Sequence, residues 1–246
     1  MLRSRGKIPV LALQEGLLEV PKHLGRERFP FVTAHAGSLH TPPNTLQSFQ
    51  AALLFPVDYL ETDVRFTAEG TTYLAHDPLP PPLQQKAMHL EDLLRLAAAH
   101  PRVNLNLDMK EYTRIREIPG LIHRCGMISR VLLTGITPDA VPKVRGNADG
   151  IPYLLNVHPT LRERFTVAGA AALAHKIQAC GAQGLNVHHR LITRRLARAL
   201  AAEGLYLWVW TVDGARRMRR MIRLPVDNIT TCRADLLFAL RKGRVQ

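Results

Sequence analysis

The chain has 246 residues, a length typical of one eight-stranded β/α barrel that also permits two ordinary domains. A hydrophobic content of 46% with only 6% aromatic residues indicates a soluble protein with an aliphatic core and excludes long disordered stretches. The net charge of +13 would attract polyanions or an anionic membrane surface.

The basic residues are spread through predicted helices, as at Arg194 and Arg195, without aromatic neighbours that stack on bases. We therefore expect a solvated basic exterior and no nucleic-acid partner, with only a weak contact to an anionic membrane surface. No apolar run is long enough to span a bilayer, and the N-terminus lacks the pattern of a secretory signal. The spacing of Cys125, Cys180 and Cys232 matches no zinc or redox motif, which predicts a protein of the reducing cytoplasm.

In chain order, residues 1–28 precede the first predicted strand and are interpreted as a short N-terminal extension, which leaves residues 29–246 as one domain. From there, apolar β-rich runs alternate with amphipathic helical patterns. Eight strands are predicted at residues 31–34, 58–66, 103–108, 130–134, 150–156, 184–188, 206–212 and 228–231. A short extra strand at residues 72–75 is expected to pair beside the second one.

The segments between the strands carry helix signals, such as Thr193 before residues 195–202 and Gly204 after them. Eight strand–helix units without a linker predict the α/β class and a closed parallel (β/α)8 TIM barrel, with its active site at the C-terminal ends of the strands. The alternative is an open doubly wound sheet, but no strand is followed by a G-x-G-x-x-G dinucleotide motif. Residues 78–82, which are rich in proline, are predicted to form a stiff extended loop on the catalytic side.

Polar side chains at strand ends need a reason in a barrel whose core is apolar. Glu61 and Asp63 project to one face of the second strand, because side chains alternate along a strand, and Asp108 and Lys110 do the same on the third. Three converging carboxylates would repel one another unless a cation lay among them, and oxygen ligands suit Mg²⁺ or Ca²⁺. Each pair alone is more simply a solvated strand end, and their occurrence at consecutive strand ends favours a metal site.

Two histidines also follow apolar strands and precede polar turns. His35 and His76 are therefore candidates for the general base and general acid of a reaction at a metal-bound phosphate. His188 at the end of the sixth strand is a further candidate, and the other histidines are interpreted as surface or packing residues.

The order and spacing of several motifs resemble the glycerophosphodiester phosphodiesterase family. The resemblance covers nearly everything after residue 30. The motifs that carry it are AHAG around His35, PNTLQSF around Asn44, YLETDV around Glu61, AHDP around His76, NLDMK ending at Lys110, GLNVH ending at His188, WTV from Trp210 and VDNITT near the C-terminus.

The resemblance implies a phosphoric diester hydrolase that converts a small glycerophosphodiester to an alcohol and glycerol phosphate, often through a cyclic phosphate, with one divalent metal ion. It implies Glu61, Asp63 and Asp108 as metal ligands and His35 and His76 as the catalytic pair. Substrate contacts are expected from Lys110, Asn44, Trp210 and His188, although Trp210 is equally well explained as a core residue.

The chain departs from the family pattern at several positions. Ala36 follows His35 where the family usually has a phosphate-binding arginine, and Arg65 is one candidate to replace it. Pro43 stands in place of a glutamate, Asp108 in place of a more common glutamate, and Cys232 in place of an aspartate. Two alternatives therefore stay open: a phospholipase D-like lyase that stops at the cyclic phosphate, and a catalytically silent barrel that binds phosphate.

Overall fold

The computed structural model describes residues 29–243, and these residues contain nine strands. Eight of the strands form a closed barrel. The remaining strand, which is third in chain order, pairs antiparallel with the second. The strands are β1 (Phe31–Ala34), β2 (Tyr59–Phe66), β3 (Thr72–Leu74), β4 (Asn104–Met109), β5 (Val131–Ile136), β6 (Tyr153–Asn156), β7 (Gly184–His188), β8 (Tyr206–Trp210) and β9 (Asn228–Thr231).

The helices follow the strands along the chain and pack on the outside of the barrel. They are α1 (Leu46–Leu53), α2 (Pro81–Gln84), α3 (Leu90–Ala98), α4 (Glu117–Arg124), α5 (Val141–Asn147), α6 (Leu161–Phe165), α7 (Val167–Ala179), α8 (Arg194–Ala202), α9 (Ala215–Ile222) and α10 (Ala234–Arg241). Three short 3-10 turns lie at Ser38–His40, Ile128–Arg130 and His189–Leu191.

The sheet closes because β1 pairs in parallel with both β2 and β9. Each remaining barrel strand pairs in parallel with the next one along the chain. This order confirms the (β/α)8 TIM barrel and excludes the open doubly wound sheet, which would leave two free edges. β3 pairs antiparallel with the outer half of β2, as predicted, and places Leu74 opposite Val64.

Side-chain alternation along β2 divides the core into two parts. Leu60 and Val64 pack outward in the large core beneath the helices, whereas Tyr59 belongs to a separate buried cluster. The Tyr59 and Trp208 rings lie 4.8 Å apart edge to face, although β2 and β8 are not neighbours in the sheet, so this contact crosses the barrel interior. Aromatic and aliphatic side chains therefore fill the lower barrel, and the inward positions above Tyr59 are Glu61 and Asp63.

Local signals explain where helices begin. The Thr193 hydroxyl accepts a hydrogen bond from the Leu196 N–H and caps α8 as predicted. The prediction for residues 78–82 was wrong in its second half, because Pro81 begins helix α2, where a missing N–H costs nothing and the fixed φ suits a first turn.

The predicted N-terminal extension, residues 1–28, lies outside the described residues, as do the last three residues of the predicted domain. Within residues 29–243, no helix is both long and apolar enough to cross a membrane.

Candidate active site

Three carboxylates from two adjacent strands meet at the C-terminal end of the barrel. Glu61 and Asp63 lie on β2, and the register of β2 with β4 places Asp63 directly beside Asp108. One carboxylate oxygen from each of the three residues lies within 4.8 Å of the others. Glu61 and Asp63 are only 5% and 3% exposed, so their charges are largely removed from water. The carboxylates predicted to converge therefore do so.

Each carboxylate is held by a hydrogen bond from a different part of the chain. The backbone N–H of Ala36 donates to Glu61 Oε2 at 3.0 Å. The Asn44 amide donates to Asp63 Oδ2 at 2.8 Å, and the Thr134 hydroxyl donates to Asp108 Oδ1 at 3.1 Å. These bonds use one oxygen of each group, and they fix the side-chain orientations before any ligand arrives.

Lys110 lies across the mouth of this cluster. Its ammonium Nζ is 2.8 Å from Asp63 Oδ1 and 2.5 Å from Asp108 Oδ2. Burial lowers the pKa of the Lys110 ammonium, but the negative charges of Asp108 and Asp63 outweigh burial and hold that pKa above its usual range. Lys110 is therefore charged at neutral pH and offsets part of the negative charge of the cluster.

The donor set fits a hard divalent cation. Glu61, Asp63 and Asp108 offer only oxygen atoms, which Mg²⁺ and Ca²⁺ prefer, and they are close enough together to share one ion. Burial raises the pKa of Glu61, and the positive charge of His35 opposes this increase only in part. The protein groups around Glu61 therefore do not fully offset the cost of burying its negative charge. A cation among the three groups would supply that compensation.

His35 stands next to this cluster. Its Nε2 lies 3.9 Å from Glu61 Oε2, and the negative charge of Glu61 is the main reason that the pKa of His35 is raised, with smaller contributions from Cys232 and Asp63 and an opposing one from burial. The imidazole is thus held as a cation when the carboxylates are otherwise unoccupied. This position, beside a candidate metal ligand, is the one expected of a proton-transfer group.

His76 follows β3 next to β2, since the N–H of the preceding residue, Ala75, donates to the Asp63 carbonyl at 3.1 Å. Its side chain is 69% exposed, and its Nδ1 is 3.0 Å from Asp77 Oδ1. Arg65, considered above as a replacement for the missing arginine, instead donates from Nη2 and Nε to the His76 backbone carbonyl at 2.7 and 3.0 Å. Arg65 therefore fixes the His76 segment and does not point its guanidinium at the carboxylate cluster.

The predicted substrate contacts fall into two groups. Asn44 is 6% exposed and uses its amide on Asp63 and its carbonyl on Thr62, so it supports a carboxylate. His188 and Trp210 pack edge to face across β7 and β8 with ring centroids 5.4 Å apart. The Trp210 Nε1 is buried with no hydrogen-bond partner among residues 29–243, which leaves one donor available on this side of the mouth.

Some residues of the upper barrel were missed by sequence reasoning. The Thr134 hydroxyl bonds both Asn106 Oδ1 and Asp108 Oδ1, and Asn186 donates to Asn156 Oδ1 at 3.1 Å. Thr134, Asn156 and Asn186 come from β5, β6 and β7, strands that carry no carboxylate, whereas Asn106 lies on β4 with Asp108. The sequence feature that could have identified them is a single polar residue at or next to the last inward-facing position of an otherwise apolar strand.

The structure also shows the contacts of Ala36 and Cys232, two positions at which the chain departs from the family pattern. Ala36 is fully buried, and its N–H supports Glu61 regardless of side chain. The Cys232 N–H donates to Asp213 Oδ1 at 2.8 Å, and the Thr231 hydroxyl donates to the same oxygen at 3.0 Å. An aspartate from the loop after β8 thus lies beside the position where the family often has its own aspartate.

A cavity of about 570 Å³ lies between the segment that leads into α1 and the segment that joins β3 to α3. Asn44 and His76 both line it, and most of the remaining lining is apolar, including Leu46, Leu79 and Met88. Glu61, Asp63 and Asp108 do not line this cavity, which adjoins the carboxylate cluster through Asn44, the hydrogen-bond partner of Asp63.

Comparison with known proteins agrees with this geometry. The model of the "Glycerophosphoryl diester phosphodiesterase family" matches residues 35–95 and 80–236. Those matches include every candidate site residue named above.

Individual relatives are similar over most of the chain. The Mycobacterium tuberculosis protein named "Probable glycerophosphodiester phosphodiesterase 2" is 28% identical and covers 89% of this chain and 92% of its own length. A crystal structure from Agrobacterium tumefaciens has a TM-score of 0.76 at 19% identity, with 88% of this chain and 98% of the other covered. An Oleispira antarctica phosphodiesterase, solved in complex with the product sn-glycerol-3-phosphate, has a TM-score of 0.70 at 16% identity and covers 87% and 97% of the two chains.

Proposed function

Because the chain belongs to the glycerophosphoryl diester phosphodiesterase family, we propose that it hydrolyses glycerophosphodiesters to an alcohol and glycerol phosphate with the help of one divalent metal ion. The observation that carries the proposal is the convergence of Glu61, Asp63 and Asp108 within 4.8 Å of one another beneath His35. The phosphodiesterase names of the relatives and the glycerol phosphate bound by one structural neighbour agree with it.

Glu61, Asp63 and Asp108 would hold the cation, which is Mg²⁺ or Ca²⁺ by the chemistry of the ligands. A cation held by these carboxylates would offset their negative charge, including the charge of Glu61 that acts on His35, and would stabilise negative charge on the phosphate. Lys110 stays at the edge of the same site and presents its ammonium to a second phosphate oxygen.

The two histidines exchange protons with the reacting oxygens. His35 takes the proton of the attacking hydroxyl, which is either the neighbouring glycerol hydroxyl, giving a cyclic phosphate, or water. His76 donates a proton to the oxygen of the leaving alcohol, because it lines the cavity that has room for that alcohol. Asp77, 3.0 Å from His76 Nδ1, orients the ring so that Nε2 faces the substrate. Water then opens any cyclic ester, so the net reaction consumes one water per diester.

His188 and Trp210 form the wall opposite His76 and pack against the glycerol part of the substrate. Asn44 acts on the reaction through Asp63 as a positioning residue. The substrate in this proposal is a small molecule.

Glycerol phosphate release from a panel of glycerophosphodiesters, measured with Mg²⁺, Ca²⁺, Mn²⁺ or a chelator, tests the proposal. We expect metal-dependent turnover that falls on the order of 100-fold or more in Glu61→Gln. Glu203→Gln, which changes an exposed acid outside the site, should leave turnover unchanged. No turnover with any metal would favour the silent phosphate-binding barrel.

Two further readouts separate the finer parts of the mechanism. Phosphorus NMR of the products distinguishes hydrolysis from the lyase reaction, since a cyclic phosphate that accumulates and persists would contradict hydrolysis. A 4-nitrophenyl ester, whose leaving group needs no proton, should restore most of the activity of His76→Ala and little of that of His35→Ala. The opposite pattern would reverse the two roles.

A further inference from the structure

A short helix on the rim of the barrel exposes large apolar side chains to solvent. Leu161 is 71% exposed, Phe165 is 55% exposed, and Val167, the first residue of α7, is 73% exposed. We call these three residues the α6 rim patch. Neighbouring large apolar residues that stay in water at a rim commonly mark a contact surface, because soluble proteins bury such side chains where they can.

The α6 rim patch lies at the catalytic end of the barrel. Four residues separate the C-terminal end of β6 from the first residue of helix α6. It is held against the segment that leaves the C-terminal end of β7, since Arg164 Nε donates to the Leu191 carbonyl at 3.0 Å and the Thr193 hydroxyl donates to the Arg164 carbonyl at 2.6 Å. The patch and the carboxylate cluster thus open toward the same side of the molecule.

Basic side chains surround the α6 rim patch. Arg162 and Arg164 lie on α6 itself, where Glu163 is the one acid, and Arg164 Nη2 donates to the Arg190 carbonyl at 3.4 Å. Glu163 is occupied by a capping box, in which its carboxylate accepts a hydrogen bond from the Thr160 N–H at 2.6 Å. Arg162 and Arg190 are exposed, and the guanidinium of Arg164 lies 5.1 Å from the centre of the Phe165 ring.

From this combination we infer that the α6 rim patch inserts into an anionic lipid surface and sets the open end of the barrel against it. Apolar side chains interleaved with arginines are the pattern of helices that lie in a membrane interface, where the apolar groups enter the acyl boundary and the cations meet the headgroups. The net charge of +13 brings the whole molecule toward the same surface.

Charge complementarity selects a lipid surface over a second copy of the chain. A two-fold symmetric dimer through this patch would place Arg162 and Arg190 close to the same residues of the partner, and like charges at an interface oppose association. An anionic lipid surface offers charge of the opposite sign together with an apolar layer.

Binding to a lipid surface is separate from the proposed reaction and can be measured without an activity assay. Full-length protein is sedimented with vesicles of equal parts phosphatidylglycerol and phosphatidylcholine, and with vesicles of phosphatidylcholine alone, at low and high salt. We expect binding to the anionic vesicles that weakens with salt. The variant L161S/F165S/V167S, which keeps the charge of the protein, should partition about tenfold less or weaker still. The variant R162Q/R190Q should lose about fivefold per arginine.

The matched control changes exposed apolar residues at the other end of the barrel. Leu54 is 82% exposed at the end of α1 and Ile128 is 41% exposed before β5, so L54S/I128S should bind like the wild type. Wild-type protein that stays in the supernatant, or a triple serine variant that binds as well as the wild type, would overturn the inference. A change in sedimentation coefficient of the triple serine variant without vesicles would assign the patch to self-association instead.

Discussion

Asn44 and Asp63 are joined by two hydrogen bonds that run in opposite directions. The Asn44 amide donates to Asp63 Oδ2 at 2.8 Å, and the Asp63 backbone N–H donates to Asn44 Oδ1 at 3.1 Å. Asn44 reaches this position with φ at +58°, a left-handed conformation that asparagine tolerates better than most residues. The segment before α1 is thereby locked onto the strand that carries two of the proposed metal ligands.

Removing the Asn44 side chain should weaken metal binding without removing a ligand. We expect Asn44→Gly to lower metal affinity about 10- to 100-fold, the range typical of groups that orient metal ligands. Asn44→Ala should lose the same affinity and also unfold more easily, because alanine at positive φ is strained. Isothermal titration with Mg²⁺ or Ca²⁺ and thermal unfolding measure the two effects, and unchanged affinity in both variants would contradict the role of Asn44.

Replacing Lys110 should separate metal affinity from turnover. The Lys110 ammonium neutralises Asp63 and Asp108, so in Lys110→Met a divalent cation no longer competes with it and should bind about tenfold more tightly. Turnover should nevertheless fall on the order of 100-fold, because a donor to the phosphate is lost. Exposed Lys143→Met serves as the control. Weaker metal binding in Lys110→Met would indicate that the lysine organises the ligands instead.

Gly135 allows the close approach of β5 to Asp108. A Cβ added at Gly135 would lie 2.5 Å from the Met109 carbonyl oxygen and 2.7 Å from Asp108 Oδ1, at φ of +75°. Gly135→Ala should therefore displace the Asp108 carboxylate and lower metal affinity. Gly126→Ala has a similar φ of +67° but no neighbour within 4 Å, so it should lose about 1 kcal/mol of stability and keep its metal affinity. Equal metal affinity in the two variants would show that a side chain at residue 135 does not displace the Asp108 carboxylate.

The raised pKa of His35 depends on Glu61 more than on any other group. In metal-free Glu61→Gln, this negative charge is gone, and we expect the pKa of His35 to fall by about one to three units. Titration of the imidazole proton resonances measures the shift, with His35→Ala to assign the signal and Glu203→Gln as a control. An unchanged pKa would mean that Glu61 is already protonated in the metal-free protein.

Asp227, before β9, gives the protein a pH-dependent stability unrelated to the active site. Burial raises its pKa to about 6, although the Leu207 N–H donates to its Oδ2 at 2.8 Å. The folded state thus binds this proton more tightly than the unfolded state, so stability is lost as the pH rises from about 4 to about 6.

Asp227→Asn removes that loss and keeps a carbonyl oxygen for the Leu207 N–H. We expect the variant to be about 1 to 3 kcal/mol more stable than the wild type at pH 8, with the difference shrinking as the pH falls through 6. Urea unfolding at several pH values measures it, with Glu203→Gln as the exposed control. A difference independent of pH would assign the effect to packing.

The strands, their order and the convergence of the three carboxylates were predictable because each depends on local pattern. Alternation along β2 is enough to place Glu61 and Asp63 on one face, and parallel strands bring Asp108 to the same end of the barrel. His35 and His76 were selected as candidates because each follows an apolar strand and precedes a polar turn, and their catalytic roles stay predictions.

The partners of these residues were not predictable in the same way. Nothing in the sequence indicates that Arg65 donates a hydrogen bond to the His76 carbonyl. Nor does it indicate that the Asn44 amide donates to Asp63 instead of contacting the substrate. Both contacts depend on how a loop folds back on a strand, and many loop conformations share the same sequence pattern.

The sequence by itself therefore determined the barrel and the end of it that carries the carboxylates, because hydrophobic periodicity and strand direction are local and repeat along the chain. Only the tertiary structure decided the charge balance of the site. That balance depends on the burial of the carboxylates and on Lys110 and His35 lying within a few ångströms of them. The tertiary structure alone also decided that Leu161, Phe165 and Val167 stay in water, because whether an apolar side chain is covered depends on what packs above it.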